Sequence, residues 1–352
     1  MKITQLETPA LIIDTDILEK NQQRMNALTE SIGAALRPHY KSHKCPAIAH
    51  RQIGSGAKGI TCAKLSEAED LILSGVEDVL IANQIVEISK IQRAAYLAGC
   101  CKLTVCVDSK ENAMALEQAA AACGNTVYCL IEYEMGMNRC GLKDWDAIRE
   151  LAETIIAQPH LCFEGIQAYA GQLSHEEDDR VRAEQSRVTE EDLAGLVRYL
   201  KEQGIPVKEV SGESTGTVEL RPENTVYTEI QAGTYLFMDA AYERVGVGFD
   251  HSLFMVATVI SVAEHKFVCD AGMKSLGVDQ GGPVFPDYPD AKIEMSEEHC
   301  AAYCKHTLSV GDKVLLIPGH CCTTMNLQDR VFMVKDGQVI DRIRVESRGK
   351  SL

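Results

Sequence analysis

The chain has 352 residues, of which 45% are hydrophobic and 24% charged, and its formal net charge at pH 7 is −16. This length allows one large hydrophobic core or two smaller ones, and the strong negative charge argues against nucleic acid or an anionic membrane as a partner. No apolar run approaches the ~20 residues of a transmembrane helix. The segment Met1–Gln5 lacks the apolar core of a signal peptide.

The 14 cysteines are dispersed through apolar segments and lack the compact spacing of a disulfide-stabilised scaffold. No C-x-x-C pair is present, which argues against a closed structural zinc site. We therefore expect reduced cysteines and a cytoplasmic protein.

Short apolar runs alternate with helical patterns between about residues 30 and 240. The runs are Gly33–Pro38, Gly59–Ala63, Asp78–Asn83, Lys102–Asp108, Thr126–Glu132, Phe163–Ala168, Val207–Gly212 and Glu229–Met238. This alternation predicts an α/β fold with a closed (β/α)₈ barrel of the TIM type over residues 15–242. An open doubly wound sheet gives a similar alternation, but no Gly-rich dinucleotide loop accompanies these runs. Among the helices, Ser66 and Glu69 form a capping-box pattern at the start of one of them.

The pattern changes after residue 245, where strand-like runs continue without helical periodicity. These runs are Phe254–Val262, Lys266–Asp270, Lys313–Pro318, Val331–Lys335 and Gln338–Val345. Asp336-Gly337 predicts a hairpin turn between the last two runs. We expect a smaller all-β domain formed by residues 243–352 and completed by residues 1–14.

A basic segment, Arg37-Pro38-His39-Tyr40-Lys41-Ser42-His43-Lys44, follows the first barrel run. It lies at the predicted carboxyl end of a strand, where barrels carry their chemistry. Positive neighbours disfavour the ammonium form of a lysine, and the neutral amine is the form that a Schiff-base nucleophile needs. By itself, the cluster also allows a solvated basic loop.

Three further segments follow predicted barrel strands. The small and hydroxylated residues of Ser211–Thr217 allow backbone N–H groups and hydroxyls to converge on an anion, although an ordinary turn has the same composition. Glu132–Gly141 contains an arginine, Arg139, close to two glycines. In Gly165–Gly171, strand alternation predicts that Gln167 and Tyr169 share one face, with a buried structural tyrosine as the alternative.

The segment Pro318–Thr324 contains the sequence His320-Cys321-Cys322. If this segment is extended, His320 and Cys322 point the same way and Cys321 points the opposite way. Imidazole and thiolate together suit Zn²⁺ better than Mg²⁺ or Ca²⁺. The alternative is a core histidine beside a buried cysteine.

Together these segments resemble the D-threonine aldolase and D-serine dehydratase family of alanine-racemase-like, fold type III enzymes that use pyridoxal 5′-phosphate (PLP). The resemblance covers nearly the whole chain, from TPALIID at Thr8–Asp14 to the His-x-Cys pair. It implies that Lys41 is the catalytic lysine that binds PLP covalently. The other cofactor-binding residues that it implies are His39, Arg139, Gln167, Tyr169, Ser214, Thr215, Gly216, Thr217, Gly233 and Tyr235. Glu134 stands where the family usually has aspartate.

The resemblance also implies a metal site at His320 and Cys322. A His-x-Cys pair is similar to the zinc site of the D-serine dehydratases, whereas the aldolases tend to carry aspartate at the position of Cys322, which suits Mn²⁺ or Mg²⁺. We therefore expect a PLP- and zinc-dependent homodimeric lyase. It is expected to dehydrate D-serine, D-threonine or D-threo-3-hydroxyaspartate to a 2-oxo acid and ammonia.

Three alternatives remain at this point. The first is an aldolase that cleaves the same substrates to glycine and an aldehyde. The second is an amino-acid racemase, whose second base would be Tyr288 or Tyr303. The third is a non-catalytic PLP carrier, which the ~100 residues after the barrel argue against.

Overall fold

The computed structural model describes residues Met1 to Leu352. The chain packs into two compact units. The unit called here the barrel unit consists of Met25–Lys41, Ile48–Gly233 and Lys350–Leu352. The unit called the β unit consists of Met1–Arg24, Ser42–Ala47 and Thr234–Gly349. The predicted domain boundaries at residues 15 and 243 stay predictions.

The regular elements are numbered along the chain. The strands are β1 Ala10–Asp14, β2 Ala35–Leu36, β3 Ile60–Cys62, β4 Asp78–Gln84, β5 Lys102–Val107, β6 Val127–Glu132, β7 Leu161–Ala168, β8 Glu209–Gly212, β9 Glu229–Ile230, β10 Leu253–Ala263, β11 Lys266–Cys269, β12 Lys292–Met295, β13 Cys300–Tyr303, β14 Lys313–Leu316, β15 Arg330–Lys335 and β16 Gln338–Arg344. The helices are α1 Thr15–Ser31, α2 Pro46–Gly54, α3 Leu65–Leu73, α4 Ile88–Leu97, α5 Lys110–Cys123, α6 Trp145–Ile156, α7 Asp179–Glu202, α8 Ala240–Val245 and α9 Cys321–Asn326.

The barrel unit contains a parallel sheet in the order β2-β9-β8-β7-β6-β5-β4-β3. Its two end strands also meet, because the Thr61 amide donates to the Pro38 carbonyl at 3.0 Å and a parallel bridge joins His39 to Thr61. The sheet is therefore closed, and the predicted alternation of strands and helices is confirmed. The last predicted run, Glu229–Met238, was too long: β9 stops at Ile230, and a 3₁₀ turn occupies Thr234–Leu236.

The barrel strands are mostly buried, as expected for parallel strands that are covered on both faces. Leu80 of β4, Cys106 of β5 and Leu130 of β6 form one buried cluster between neighbouring strands. The surrounding helices begin at polar caps, for example at Ser109, whose hydroxyl accepts from the Asn112 amide. The predicted capping box is displaced, because α3 begins at Leu65 and it is Glu67 that accepts from the Ala63 and Lys64 amides.

The β unit is built on a second sheet in the order β12-β13-β11-β10-β1-β15-β16, with β14 paired to β10. The N-terminal strand β1 lies between β10 and β15, so the prediction that residues near the N-terminus complete this sheet is confirmed. Asp336 and Gly337 both have positive φ, 49° and 67°, in the turn between β15 and β16, as a tight hairpin turn requires.

Three features of the β unit differ from the prediction. Strands β12 and β13 were not predicted, and their alternating exposed residues give little apolar signal. Helix α8 was not predicted, and α9 occupies a segment that we considered as extended. None of the helices in the chain is long and apolar enough to cross a membrane.

Candidate active site

Lys41 lies in a 3₁₀ turn, Tyr40–Ser42, directly after β2. Its side chain is exposed, and its Nζ atom lies 5.7 Å from the centre of the Tyr169 ring. The backbone before it is fixed, because the His39 amide donates to the Ala232 carbonyl at 3.2 Å. The turn therefore presents an accessible amine beside an aromatic ring, at the carboxyl end of a barrel strand.

The side chain of Arg37 does not add a free positive charge beside Lys41, as the sequence suggested. Its guanidinium is buried and donates to Glu229 at 2.9 Å and to Asp78 at 2.8 Å. Burial lowers the pKa of Arg37, but these two carboxylates outweigh that effect and raise it, so the group stays charged and paired. Arg37 therefore belongs to the ion pairs of the barrel itself.

Tyr169 lies close to side chains from two other predicted cofactor-binding segments, those of Lys41 and Arg139. The guanidinium carbon of Arg139 lies 5.7 Å from the centre of its ring, so two cationic side chains contact the same aromatic system. The Tyr169 hydroxyl lies 3.1 Å from the Ser174 Oγ atom. β7 ends at Ala168, so Tyr169 lies just beyond the strand, and the side-chain alternation used in the prediction does not extend to it.

Arg139 is carried by a loop that Glu134 organises. One oxygen of Glu134 accepts from the Gly136 and Asn138 amides, each at 2.7 Å, and Asn138 has a left-handed φ of 53°. Asparagine tolerates this conformation better than most residues. Glu134 thus shapes the loop that carries Arg139.

Sequence reasoning missed a polar group next to Arg139. Gln84 donates to Glu132 at 2.5 Å and to Asp108 at 3.2 Å, and Asp108 also accepts from the Gly141 amide at 3.1 Å. Glu132 pairs with Arg139 at 3.6 Å. Each of these residues ends or directly follows a barrel strand, which is the signal that could have identified them.

Gln167 is buried and is held from the neighbouring strands. Gln231 donates to the Gln167 side-chain oxygen at 2.6 Å and to the Ser211 hydroxyl at 2.7 Å. The side chain is therefore fixed before any ligand binds.

The hydroxylated loop after β8 is buried and internally bonded. Thr217 donates to Glu213 at 2.6 Å, so the 2.9 Å contact between Ser214 and Thr217 has Ser214 as its donor. Thr215 is also buried. A Cβ atom at Gly216 would lie 2.2 Å from the Ser174 carbonyl oxygen, so this position accepts only glycine without movement of the backbone. Through Ser174, the loop is adjacent to Tyr169.

The predicted pair Gly233 and Tyr235 is divided between the two units. Gly233 is the last residue of its segment in the barrel unit, whereas Tyr235 lies in the 3₁₀ turn of the β unit. Tyr235 is fully buried, and its hydroxyl donates to Gln22 at 2.8 Å. Its predicted approach to the cofactor stays a prediction.

His320 and Cys322 lie at the start of α9 in the β unit. His320 is the residue before the helix, with extended backbone, and Cys322 is in its first turn, so the assumption of an extended segment was wrong. The two side chains are nevertheless neighbours. Burial lowers the pKa of His320, but its hydrogen bonds to Cys322 and Asp279 and the charges of Cys322 and Asp239 raise it to about 9. Cys321 is fully buried, whereas Cys322 is partly exposed.

Two carboxylates that sequence reasoning missed support this pair. Asp279 lies 2.7 Å from the His320 Nδ1 atom and accepts from Thr323 at 2.6 Å. Asp239 accepts from the Cys321 amide at 2.8 Å, and burial raises its pKa. Neither aspartate lies within a recognisable sequence motif, and the loop that carries Asp279 is about 40 residues from His320, so no local pattern could reveal them.

No group of three or more His, Cys, Asp and Glu side chains in the chain is arranged to hold a metal ion. His320 and Cys322 alone offer one nitrogen and one sulfur. This donor pair fits Zn²⁺, with the other coordination positions left to water or substrate. In the barrel unit, the lysine amine and the buried hydroxyl loop fit the aldehyde and the phosphate of PLP.

A closed parallel barrel with a lysine and a hydroxylated loop at its strand ends, together with a unit built mostly on a β-sheet, defines an enzyme of the alanine-racemase-like class. Residues 13–241 match the family model of the alanine racemase N-terminal domain, and residues 252–334 match that of the serine dehydratase domain. The chain therefore belongs to the alanine-racemase-like, fold type III family of PLP-dependent lyases that includes D-threonine aldolase and D-serine dehydratase.

The similarity extends over the whole chain. The chain is 36% identical to the D-threonine aldolase of Arthrobacter sp, and the match covers 99% of this chain and 94% of that protein. Identity is 31% to the D-threo-3-hydroxyaspartate dehydratase of Delftia sp. (strain HT23), covering 78% and 74%, and 24% to the D-serine dehydratase of Dictyostelium discoideum, covering 97% of each. The crystal structure of D-threonine aldolase from Filomicrobium marinum superposes with a TM-score of 0.97 at 35% identity, covering 100% and 98%.

Proposed function

We propose that this chain is a PLP- and metal-dependent lyase that dehydrates D-β-hydroxy amino acids to a 2-oxo acid and ammonia. The substrates proposed are D-serine, D-threonine and D-threo-3-hydroxyaspartate. The observation that carries the choice of reaction is the neighbouring pair of His320 and Cys322, because a thiolate and an imidazole form a site for Zn²⁺.

The cofactor would be held by residues of the barrel unit and by Tyr235. Lys41 would bind it covalently, and Ser214, Thr215, Gly216 and Thr217 would surround its phosphate. The residues proposed around the rest of the cofactor are His39, Arg139, Gln167, Tyr169, Gly233 and Tyr235. When bound, PLP supplies an electron sink for the pair left behind by the Cα proton.

Lys41 is the residue proposed to move that proton. Released from the cofactor by the amino group of the substrate, its Nζ atom would accept the Cα proton and so become an ammonium group. The Tyr169 ring, 5.7 Å away, attracts a cation through its quadrupole and stabilises the protonated form. The contact of the Tyr169 hydroxyl with Ser174 orients the ring for this purpose.

His320 and Cys322 are the residues proposed to hold the metal, with Zn²⁺ as the expected ion and Mn²⁺ or Mg²⁺ as alternatives. When bound, the ion supplies a Lewis acid for the β-hydroxyl group of the substrate. Loss of the Cα proton and of the β-hydroxyl produces an enamine, which hydrolyses to the 2-oxo acid and ammonia. An all-apolar pocket would not distinguish a β-hydroxy amino acid from one that lacks the hydroxyl.

Cleavage of the Cα–Cβ bond is the second candidate, and a specific observation favours it. Over the whole chain the identity to D-threonine aldolase is 36%, compared with 24% to D-serine dehydratase. The same residues would bind the substrate, but the β-hydroxyl would lose its proton and the products would be glycine and an aldehyde. The overall sequence identity thus favours the aldolase reaction, whereas the thiol of Cys322 beside His320 favours dehydration.

Product analysis separates the two reactions. Purified enzyme with PLP and Zn²⁺ is incubated with D-serine, D-threonine and D-threo-3-hydroxyaspartate, and 2-oxo acid, ammonia, glycine and aldehyde are measured. We expect 2-oxo acid and ammonia in equal amounts, with Lys41→Ala as the inactive control. Glycine and aldehyde without ammonia would refute dehydration and establish the aldolase. Inversion at Cα without either set of products would refute both and establish the racemase.

We also propose that the active unit is a homodimer, as the family resemblance implies. The mouth of a barrel leaves a cofactor open to water, and a β domain of a second copy would cover it. Sedimentation velocity at the protein concentration of the activity assay tests this proposal. A fully active monomer would refute it.

A further inference from the structure

Asp279 holds the imidazole of His320 from one side. Its Oδ2 atom lies 2.7 Å from the His320 Nδ1 atom, and its Oδ1 atom accepts from the Thr323 hydroxyl at 2.6 Å. Both carboxylate oxygens are thus used within one small group of side chains. The carboxylate is 46% exposed and the imidazole 17%, so the pair lies at an accessible surface of the β unit.

The loop that carries Asp279 is fixed to the first turn of α9. The Gly277 amide donates to the Thr324 hydroxyl at 2.9 Å, and that hydroxyl donates to the His320 carbonyl at 2.7 Å. A Cβ atom at Gly277 would lie 2.0 Å from the Thr323 Oγ1 atom, so only glycine allows this close approach. Asp279 and His320 therefore keep their relative position without help from a ligand.

This contact determines which ring nitrogen of His320 faces away from Asp279. A carboxylate only accepts, so Nδ1 carries the proton that it donates to Asp279. The lone pair of the neutral ring is then on Nε2, on the opposite side of the imidazole from Asp279. Histidines that bind metal ions commonly donate their other N–H group to a carboxylate, which sets the ring orientation and increases the basicity of the ligand nitrogen.

We propose that Asp279 is a positioning residue that presents the Nε2 atom of His320 to the metal ion. The proposal rests on the proposed function, because it requires a metal site at His320 and Cys322. Asp279 itself is not a ligand in this arrangement, because a metal ion on Nε2 lies across the ring from its carboxylate. Thr323 contributes indirectly by holding the second oxygen of Asp279.

Metal affinity of the PLP-loaded enzyme tests the proposal without reference to turnover. Zn²⁺ binding is measured by competition with a chromophoric chelator for the wild type, Asp279→Ala, Asp279→Asn and Thr323→Val. Asp290→Ala is the matched control, because Asp290 is an exposed aspartate of the same unit. The visible absorbance of PLP is recorded for each variant to show that the barrel unit is intact.

We expect Asp279→Ala to weaken Zn²⁺ binding by about 10–100-fold, the usual effect of removing a carboxylate behind a histidine ligand. Asp279→Asn should weaken it less, because the amide oxygen still accepts from Nδ1. Thr323→Val should also have a smaller effect, and Asp290→Ala none. Wild-type affinity in Asp279→Ala would overturn the proposal. An Asn variant as weak as the Ala variant would also overturn it, because that result indicates an oxygen ligand to the metal.

Two further variants separate this inference from the proposed function. If His320→Ala and Cys322→Ala bind Zn²⁺ as tightly as the wild type, the metal site proposed at these residues is wrong, and the role of Asp279 is refuted with it. If these variants lose the metal while Asp279→Ala keeps it, only the positioning role is wrong.

Discussion

Arg221 and Glu213 form an ion pair inside the barrel unit, with 3.2 Å between Arg221 Nε and Glu213 Oε1 and with each side chain only 2% exposed. Glu213 has a left-handed φ of 73° and accepts from Thr217, whereas Arg221 also pairs with Glu190 of α7 at 2.7 Å. The hydroxylated loop after β8 is thus tied to a surrounding helix through buried charges. These charges are costly to separate.

Replacing Arg221 should therefore destabilise the barrel unit. Arg221→Met leaves the carboxylates of Glu213 and Glu190 buried without their cation, and we expect a loss of ~3–5 kcal/mol in the free energy of unfolding. Urea unfolding followed by the fluorescence of Trp145, the single tryptophan of the chain, measures this loss. The double variant Arg221→Met, Glu213→Gln should lose less, since one of the unpaired charges is gone. A single variant as stable as the wild type would contradict this expectation.

Lys41 is expected to be the lysine that binds the cofactor. Lys41→Ala should remove both the visible absorbance of bound PLP and the covalent label left by borohydride reduction. Lys44→Ala is the matched control and should keep both, and peptide mapping of the reduced wild type identifies the labelled residue. A label on Lys44 would show that the assignment of Lys41 is wrong.

The two adjacent cysteines should behave differently. Cys322→Ala should lose Zn²⁺ and turnover while it retains PLP, because it removes the proposed thiolate ligand. Cys321→Ala should keep the metal, because Cys321 is fully buried, and it should instead lower the free energy of unfolding.

Chelator treatment of the wild type should abolish activity, and Zn²⁺ should restore it better than Mg²⁺, which prefers oxygen ligands. Equal recovery with Mg²⁺ would argue against a thiolate ligand.

Cofactor affinity should depend on the absence of a side chain at Gly216. A Cβ atom there would lie 2.2 Å from the backbone oxygen of Ser174, so Gly216→Ala must displace the loop proposed to bind phosphate. We expect PLP to dissociate at least tenfold more readily, as measured by absorbance after dilution. Gly54→Ala, at the end of α2 with open space around its Cβ position, is the control and should bind PLP normally. Unchanged PLP retention in Gly216→Ala would indicate that this loop does not contact the cofactor.

Local sequence patterns were sufficient for several features that depend on neighbouring residues. The alternation of apolar runs and helical periodicity predicted the barrel strands, since each run carries its own hydrophobic pattern. Asp336-Gly337 predicted its hairpin because the turn requires positive φ at both residues. The RPHYKSHK segment placed Lys41 at a strand end, because its position after an apolar run is also a local feature.

Long-range contacts decided what the sequence could not determine. Arg37 pairs with Glu229 and Asp78 rather than crowding Lys41, and Gln84, Asp108 and Glu132 meet only because their strands are neighbours in the closed sheet. The length of β9 was overestimated because apolar composition continues beyond the last paired residue.

The composition of the chain, the alternation of strands and helices in its barrel and the residue types of its motifs were determined by the sequence alone. Only the tertiary structure showed that His320 and Cys322 meet at the start of a helix and that Asp279 holds His320. The physical reason is that a side-chain hydrogen bond between distant segments depends on how the intervening loops pack. The hydrophobic periodicity and the helix or strand propensity of each segment do not predict how these loops pack.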